Sequence, residues 1–184
     1  PPHLKGAHPA RVQGHPVFRS FALDPPILDM AEALDGADLL LLLDQLFRNP
    51  PESSREITCH QDREYWAVRP LAACTAWLAL DDVDEGNGAL RVIPGSHRGA
   101  LLTHDAKDDD DLVLKYALSE KQFVISAART TELKAGQISR HDIGGVRGSP
   151  ANNSTRRRPG YAIRYMPATS LVDRTIQPSD PHGT

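Results

Sequence analysis

The stretch TAWLALDDVDEGNGALRVIPGS, residues 75 to 96, has a pattern that recurs along much of this chain. A short run rich in apolar residues leads into a turn of Asp, Gly and Asn, and a second short run ends at Pro-Gly. Runs of this length and character, separated by such turn residues, are typical of antiparallel strands. The stretch therefore predicts two strands joined by a turn.

Further runs with strand character follow the same spacing. They are DLLLLLDQLFRN (38–49), EITCHQDREYW (56–66), QFVISA (122–127), TELKAGQISRHD (131–142) and RPGYAIRYMP (158–167). Many short strands separated by Gly, Pro, Asp or Asn predict a sandwich or barrel of antiparallel strands. LDPPILDMAEALDG (23–36) is the exception and predicts a helix, with Asp24 as its N-terminal cap and Gly36 at its end.

The bulk properties bound the class of protein. The 184 residues, of which 40% are apolar, carry a net charge of −3 and fit one domain with one core. We predict that this domain covers residues 17–174, between a tail or loop at 1–16 and a C-terminal tail at 175–184. Residues 1–16 have no hydrophobic period and are unlike the start of a folded domain.

Several function classes are disfavoured by composition. A net negative charge argues against a nucleic-acid partner, which usually requires a basic face. The longest apolar run, residues 39–43, is far too short to cross a membrane. Cys59 and Cys74 are too few for a disulfide framework, so we predict reduced thiols in a cytoplasmic protein. The sequence does not predict the oligomeric state.

His60 and Asp62 form the first candidate site. They are separated by one residue in a predicted strand, so both side chains point to the same side. A histidine and a carboxylate placed together are two of the three ligands in the facial triad that holds Fe(II). By itself His-X-Asp is more often an ordinary surface or core pair, so the motif needs its context.

That context resembles a known family. CHQDREYW (59–66), WLALDDVDEGNGALRVIPGSHR (77–98), GSPANNSTRRRPG (148–160) and RYMP (164–167) resemble the phytanoyl-CoA dioxygenase family of Fe(II)- and 2-oxoglutarate-dependent oxygenases. The resemblance runs from about Pro26 to Arg174. It implies a mainly β fold, the double-stranded β-helix (a cupin-like jelly roll), with a few flanking helices and iron between two facing sheets.

The last part of the family site departs from its pattern at one position. The family pattern reads His-Gly-Ser-X-Pro-Asn-X-Ser-X-X-Arg-Arg-X-Gly, and it is matched at Gly148, Ser149, Asn152, Ser154, Arg157, Arg158 and Gly160. The histidine, which would be the second nitrogen ligand, falls on Arg147. A guanidinium stays protonated and offers no lone pair to a metal. The metal ligands that remain by resemblance are His60 and Asp62, with His141 as a less favoured third.

The co-substrate half of the family site is better matched. By resemblance, Arg158 binds the distal carboxylate of 2-oxoglutarate, and the hydroxyl of Ser149 is a hydrogen-bond donor nearby. Gln45 also reaches the co-substrate. A fixed arginine suits a carboxylate because it donates two parallel hydrogen bonds. Without the resemblance, the basic run at 156–158 would be a solvated turn.

Three functions follow from these residues. The first is oxidation of a small organic substrate, including substrates of secondary metabolism, by Fe(II), O2 and 2-oxoglutarate at His60, Asp62 and position 147. The second is a metal-free descendant of the fold that works as a non-redox isomerase or cyclase, and the third is a non-catalytic binding protein. We expect Arg147 to pair with Asp62; the alternative is that Arg147 reaches solvent and leaves a weak or water-completed metal.

Overall fold

A computed structural model describes residues 15–52, 56–107, 114, 116–173 and 175. Its helices are α1 (Pro16–Ala22) and α2 (Pro25–Asp35). Its strands are β1 (Leu39–Asn49), β2 (Ile57–His60), β3 (Val68–Arg69), β4 (Cys74–Ala79), β5 (Arg91–Val92), β6 (His104–Ala106), β7 (Tyr116–Leu118), β8 (Arg129–Thr130), β9 (Ile138–Asp142), β10 (Arg147–Ser149), β11 (Arg158–Pro167) and β12 (Leu171–Val172).

The strands form two four-stranded antiparallel sheets. The first has the order β1-β11-β4-β9 and the second the order β2-β10-β5-β8. Two small two-stranded antiparallel sheets, β12 with β3 and β6 with β7, lie outside these sheets. Neighbours in each sheet are distant in sequence, as in a jelly roll, and the predicted fold is confirmed.

The first sheet has two differently covered faces. One face packs against α1 and α2, and its buried core contains Tyr161, Ile163 and Tyr165 of β11 together with Cys74, Ala76 and Leu78 of β4. Because side chains alternate along a strand, the residues between them point to the opposite face. That face looks toward the second sheet.

Two tyrosines of β11 tie the sheet to α1 and its neighbourhood. The Tyr165 hydroxyl donates to the carbonyl oxygen of Ala22 at 2.8 Å. The Tyr161 hydroxyl lies 3.2 Å from the carbonyl oxygen of Phe18 in α1 and donates to the carboxylate of Asp44 in β1 at 2.6 Å. Burial raises the pKa of both hydroxyls, so they remain donors at neutral pH. The helices are thereby held on the side of the sheet away from the cavity described below.

Several predicted elements differ from the structure, and the run predicted over 131–142 is a strand only in β9. The helix ends at Gly36, as predicted, but the Asp24 side chain makes no capping hydrogen bond. The strand predicted over 56–66 ends at His60, where Asp62 begins a 3-10 turn. Only residues 91–92 of the run after Gly88 are extended. QFVISA forms 3-10 turns at 120–122 and 125–127, because these residues have no strand partner among those described.

The remaining general predictions concern the ends and the thiols. The predicted tails lie outside the described residues, except for residues 15, 16 and 175, and α1 already begins at Pro16. The single domain over 17–174 stays a prediction. Neither cysteine forms a disulfide. Within the described ranges, no helix has the length and apolar character needed to cross a membrane.

Candidate functional site

A cavity of about 410 Å³ lies between the two sheets. Its polar lining residues are Gln45, Thr75, His141, Arg158 and Arg164 from the first sheet, His60, Arg147 and Ser149 from the second, and Asp62 from the turn after β2. Its apolar and aromatic lining residues are Leu43, Phe47, Ile57, Tyr65, Trp66, Trp77, Leu90, Leu114 and Ala162. All seven residues that the sequence singled out, His141 included, therefore line one cavity.

Strand register places Arg147 beside His60. The two residues are direct partners in the antiparallel pair of β10 and β2. Side chains of such partners lie on the same face of a sheet within contact distance. Asp62 joins them from the 3-10 turn, and its Oδ1 lies 3.4 Å from His60 Nε2. The three positions converge as predicted, although Asp62 reaches the site from a turn and not from a strand.

Gln61 fixes the turn that carries Asp62. The Gln61 side chain is fully buried; its amide nitrogen donates to the Gly144 carbonyl at 2.6 Å and its amide oxygen accepts from Leu102 N at 2.8 Å. Its backbone N–H donates to His104 Nε2 at 3.0 Å. These contacts come from two distant parts of the chain, so the orientation of Asp62 is set by tertiary structure.

Arg147 and Asp62 form a buried ion pair. The contact joins Arg147 Nη2 to Asp62 Oδ2, and both residues are only 6% exposed. Arg147 Nη1 also donates to the carbonyl oxygen of Asp142 at 3.2 Å. The arginine therefore points into the cavity and does not reach solvent, which is the arrangement that we expected.

Neighbouring charges keep Asp62 ionised. Burial alone raises the pKa of a carboxyl, because it removes water from the charged form. Here the charges of Arg147 and Arg164 and the hydrogen bond from His60 outweigh burial and hold the pKa of Asp62 well below its ordinary value. The carboxylate thus already has its counter-charge from the protein.

His141 stands across the cavity on β9. Burial, with a further contribution from the charge of Arg147, lowers the pKa of His141 to about 3, so its imidazole is neutral. It pairs in register with Thr75 of β4 in the first sheet, whereas His60 belongs to the second sheet. Within the described part of the chain, no three His, Cys, Asp or Glu side chains form a group that could hold a metal ion.

The donor set at this position does not fit iron. A facial triad needs three lone-pair donors on one face of the metal. Arg147 has none to offer, and its guanidinium contacts the carboxylate oxygen that a metal would use. The site holds a positive charge, but that charge is covalently part of the protein.

Arg158 also lines the cavity, and it pairs with no carboxylate among the described residues. Arg158 is buried and lies over the Trp77 ring, with its guanidinium carbon 5.7 Å from the ring centre. Its Nε and the hydroxyl of buried Ser149 have no hydrogen-bond partner among the described residues. Burial lowers the pKa of Arg158 to about 10, which still leaves it charged at neutral pH.

The rest of the basic run faces outward. Arg156 pairs with Asp84 at 2.6 Å and Arg157 with Asp81 at 2.7 Å, and both arginines are exposed. Asn152 is fully buried and bonds the carbonyl oxygens of Pro50 and Arg156, so it shapes the turn that precedes β11. Of the three arginines in the run, only Arg158 reaches the cavity.

Arg164 lines the cavity and was given no role from the sequence. Its Nη1 donates to Gln45 Oε1 at 2.7 Å, and its guanidinium carbon lies 5.6 Å and 5.5 Å from the ring centres of Phe47 and Trp66. Gln45, predicted as a co-substrate residue, therefore lines the cavity and also holds Arg164. A sequence signal existed: Arg158 and Arg164 are six residues apart on one strand, and an even spacing puts both on one face.

These residues fit a dicarboxylate such as 2-oxoglutarate. Arg158 and Ser149 offer unused donors at one point of the cavity, and an arginine–carboxylate contact can supply two parallel charge-assisted hydrogen bonds. The apolar residues around them exclude water and strengthen such contacts. When bound beside iron in an oxygenase, 2-oxoglutarate supplies the electrons for oxygen activation.

Gly160 makes room for the ring under Arg158. A Cβ added at Gly160 would lie 1.8 Å from Cζ2 of Trp77, which no neighbour can accept without moving. We expect Gly160→Ala to lower the free energy of unfolding by about 1–3 kcal/mol, the usual cost of overpacking. Urea denaturation measures this. Gly99→Ala is the matched control, because there the nearest atom is Ser96 O at 3.4 Å; equal stability of the two variants would contradict the packing argument.

The comparisons with known proteins identify one family. The family model described as "Phytanoyl-CoA dioxygenase (PhyH)" matches residues 4–160, which is most of the chain. The chain belongs to the phytanoyl-CoA dioxygenase family. A "Probable phytanoyl-CoA dioxygenase" of Caenorhabditis elegans is 32% identical over 159 residues, covering 82% of this chain and 51% of the relative. "Phytanoyl-CoA dioxygenase, peroxisomal" of Mus musculus is 37% identical over 94 residues, covering 48% and 27%.

Solved structures of oxygenase fold also match this phytanoyl-CoA dioxygenase family chain. The epimerase SnoN, in complex with Fe3+, alpha ketoglutarate and nogalamycin RO, is 25% identical with a TM-score of 0.71, covering 92% of this chain and 70% of SnoN. The non-heme monooxygenase ThoJ is 30% identical with a TM-score of 0.67, covering 80% and 54%. The chain spans about half or less of the length of the curated relatives named above.

Proposed function

We propose that this chain is a small-molecule-binding member of the phytanoyl-CoA dioxygenase family in which Arg147 takes the place of the iron. Its cavity holds a dicarboxylate of the 2-oxoglutarate class and a small organic molecule, but as it stands it does not carry out iron-dependent oxidation. The observation that carries the proposal is the buried contact between Arg147 and Asp62.

The physical argument rests on the charge of Asp62. A carboxylate in a buried cavity is costly without a partner, and in a family oxygenase the metal is that partner. In this chain the guanidinium of Arg147 supplies the positive charge, and Arg164 adds to it. A metal ion entering the site would have to displace a covalently attached cation and would meet its repulsion at close range.

The ligand class follows from the opposite end of the cavity. Arg158 and Ser149 have donors that nothing in the described chain uses, and the surrounding wall is largely apolar. The residues therefore suit a small acid with an apolar body. Oxidations by family members act on small organic substrates, and a substrate of that size would share the cavity with the acid.

A second candidate is iron-dependent oxidation in the ordinary manner of the family. Family membership and the 3.4 Å approach of His60 to Asp62 favour it. It requires Arg147 to swing away and water or another group to complete the metal site. The remaining possibility is a metal-free, non-redox isomerase or cyclase; the neighbour SnoN is an epimerase, but one that binds Fe3+ and alpha ketoglutarate, so it does not favour a metal-free reaction.

Iron titration of the purified protein separates these functions. We expect no saturable Fe(II) binding under anaerobic conditions and no iron retained after desalting, because Asp62 is already paired. Succinate release from 2-oxoglutarate should stay at the level of a metal-free control. Stoichiometric binding at micromolar or better affinity would mean that the arginine does not close the site, and ordinary oxygenase function would then take precedence.

A further inference from the structure

The cavity contains more positive than negative charge. Three arginines line it, Arg147, Arg158 and Arg164, whereas Asp62 is the one carboxylate among its lining residues. Both histidines would only add positive charge if protonated, and His141 is neutral. Three guanidinium groups against one carboxylate leave two positive charges enclosed between the sheets.

The Arg147–Asp62 pair accounts for one arginine, so Arg158 and Arg164 carry the excess. Burial lowers the pKa of Arg158, and no carboxylate among the described residues pairs with it. Arg164 is shielded by the Phe47 and Trp66 rings and bonded to the neutral amide of Gln45, and it shares Asp62 with Arg147. The Nε atoms of Arg158 and Arg164 have no hydrogen-bond partner among the described residues.

Buried excess charge is costly, and Asp62 is the one carboxylate among the described lining residues to balance it. We propose that a dianionic ligand binds in this cavity without any metal ion, with one anionic end at Arg158 and Ser149 and the other at Arg164. This inference rests on the proposed function, because it uses the same cavity, and it adds a second anchoring residue and independence from metal. In an oxygenase the second end of such an acid would be held by iron. In this cavity Arg164 holds that end instead.

The strand that carries both arginines defines the shape of the ligand. Arg158 and Arg164 lie on the same face of β11, separated by Gly160 and Ala162 on that face. The Trp77 ring fills the space over Gly160, whereas small Ala162 lines the cavity between the two charges. Phe47, Leu43 and Leu90 are among the apolar residues around it. The class that fits is a small dicarboxylate whose charged ends are joined by an apolar chain.

Calorimetry in excess EDTA tests the proposal. The probes are 2-oxoglutarate and glutarate, compared with 2-oxovalerate, which lacks the distal carboxylate. We expect both dianions to bind and the monoanion to bind about tenfold more weakly or worse, because a charge-assisted contact is lost. Arg158→Gln should weaken 2-oxoglutarate binding by a similar factor. Arg157→Gln, which removes an exposed arginine beside it, should leave the affinity unchanged.

A second variant tests Arg164 without truncating it, since truncation would also remove its packing on Phe47 and Trp66. Gln45→Glu keeps the size of the residue that Arg164 contacts but adds a negative charge. We expect it to neutralise Arg164 and weaken dianion binding by about tenfold or more. Binding of 2-oxovalerate should weaken as well, because its one carboxylate is the end that Arg164 holds. If the affinity of 2-oxoglutarate is the same in Gln45→Glu and the parent, Arg164 is not an anchor and the proposal is wrong.

The outcomes also separate this inference from the proposed function. Absence of dianion binding in EDTA, together with absence of iron binding, overturns the metal-independent ligand and leaves the closed iron position intact. Dianion binding that appears only after Fe(II) is added overturns both. Dianion binding in EDTA that is insensitive to Arg158→Gln overturns the assigned site.

Discussion

Arg147→His is expected to give the protein stoichiometric Fe(II) binding that the parent lacks. The substitution removes the cation paired with Asp62 and places an imidazole directly opposite His60 in the β10–β2 register. Two histidines and one carboxylate are then available on one side of the cavity, which is the donor set that holds non-heme Fe(II). Anaerobic calorimetry should show about one iron per chain, and 2-oxoglutarate-dependent oxygen uptake should appear with it.

Two controls keep this gain specific. Arg157→His makes the same exchange at an exposed ion pair and should bind no more iron than the parent. His60→Ala added to Arg147→His should abolish the gain, because it removes another ligand of the same site. A folded Arg147→His protein without saturable iron binding would show that the three positions do not form a metal site in this chain.

Arg147→Met should destabilise the protein by about 3–5 kcal/mol, the usual cost of removing one partner from a buried ion pair. Asp62 would remain buried with only the more distant charge of Arg164 and the His60 contact to hold it. Methionine fills much of the volume of the arginine stem, so the loss would report charge more than packing. Urea denaturation measures the difference in the free energy of unfolding.

The double variant Arg147→Met with Asp62→Asn is the decisive companion. Removing both charges should recover most of the lost stability, because the penalty comes from the uncompensated carboxylate. Arg157→Met breaks an exposed pair and should cost less than about 1 kcal/mol. Equal losses in Arg147→Met and Arg157→Met would mean that the buried contact contributes no more than a surface one.

The fold could be predicted largely from strand punctuation and family motifs. β1 and β11 appear where the long apolar and alternating runs predict them. The strand prediction for QFVISA failed because a strand needs a neighbouring strand to complete its hydrogen bonds. The sequence does not reveal which run will have such a neighbour. Val124 and Ile125 in this run are 66% and 53% exposed, so its apolar residues do not contribute to the core.

The candidate site shows where sequence reasoning reaches its limit. His60, Asp62 and Arg147 do converge, but alternation along a strand is the wrong reason for Asp62. Its position depends on Gln61, whose contacts come from segments 41 to 83 residues away, and no local pattern reports these. Arg164 was overlooked although its spacing from Arg158 was visible, because the resemblance assigned a role to only one of the two.

Strand β11 serves two different environments with alternate residues. Tyr161, Ile163 and Tyr165 hold the helices, whereas Arg158, Ala162 and Arg164 form the cavity wall. A single residue inserted between Arg158 and Tyr161 would exchange the faces of one part of the strand relative to the other. Arginine charges would then meet the packed helices, or tyrosines would fill the ligand space. In evolutionary terms, this segment is closed to a change in length by one residue.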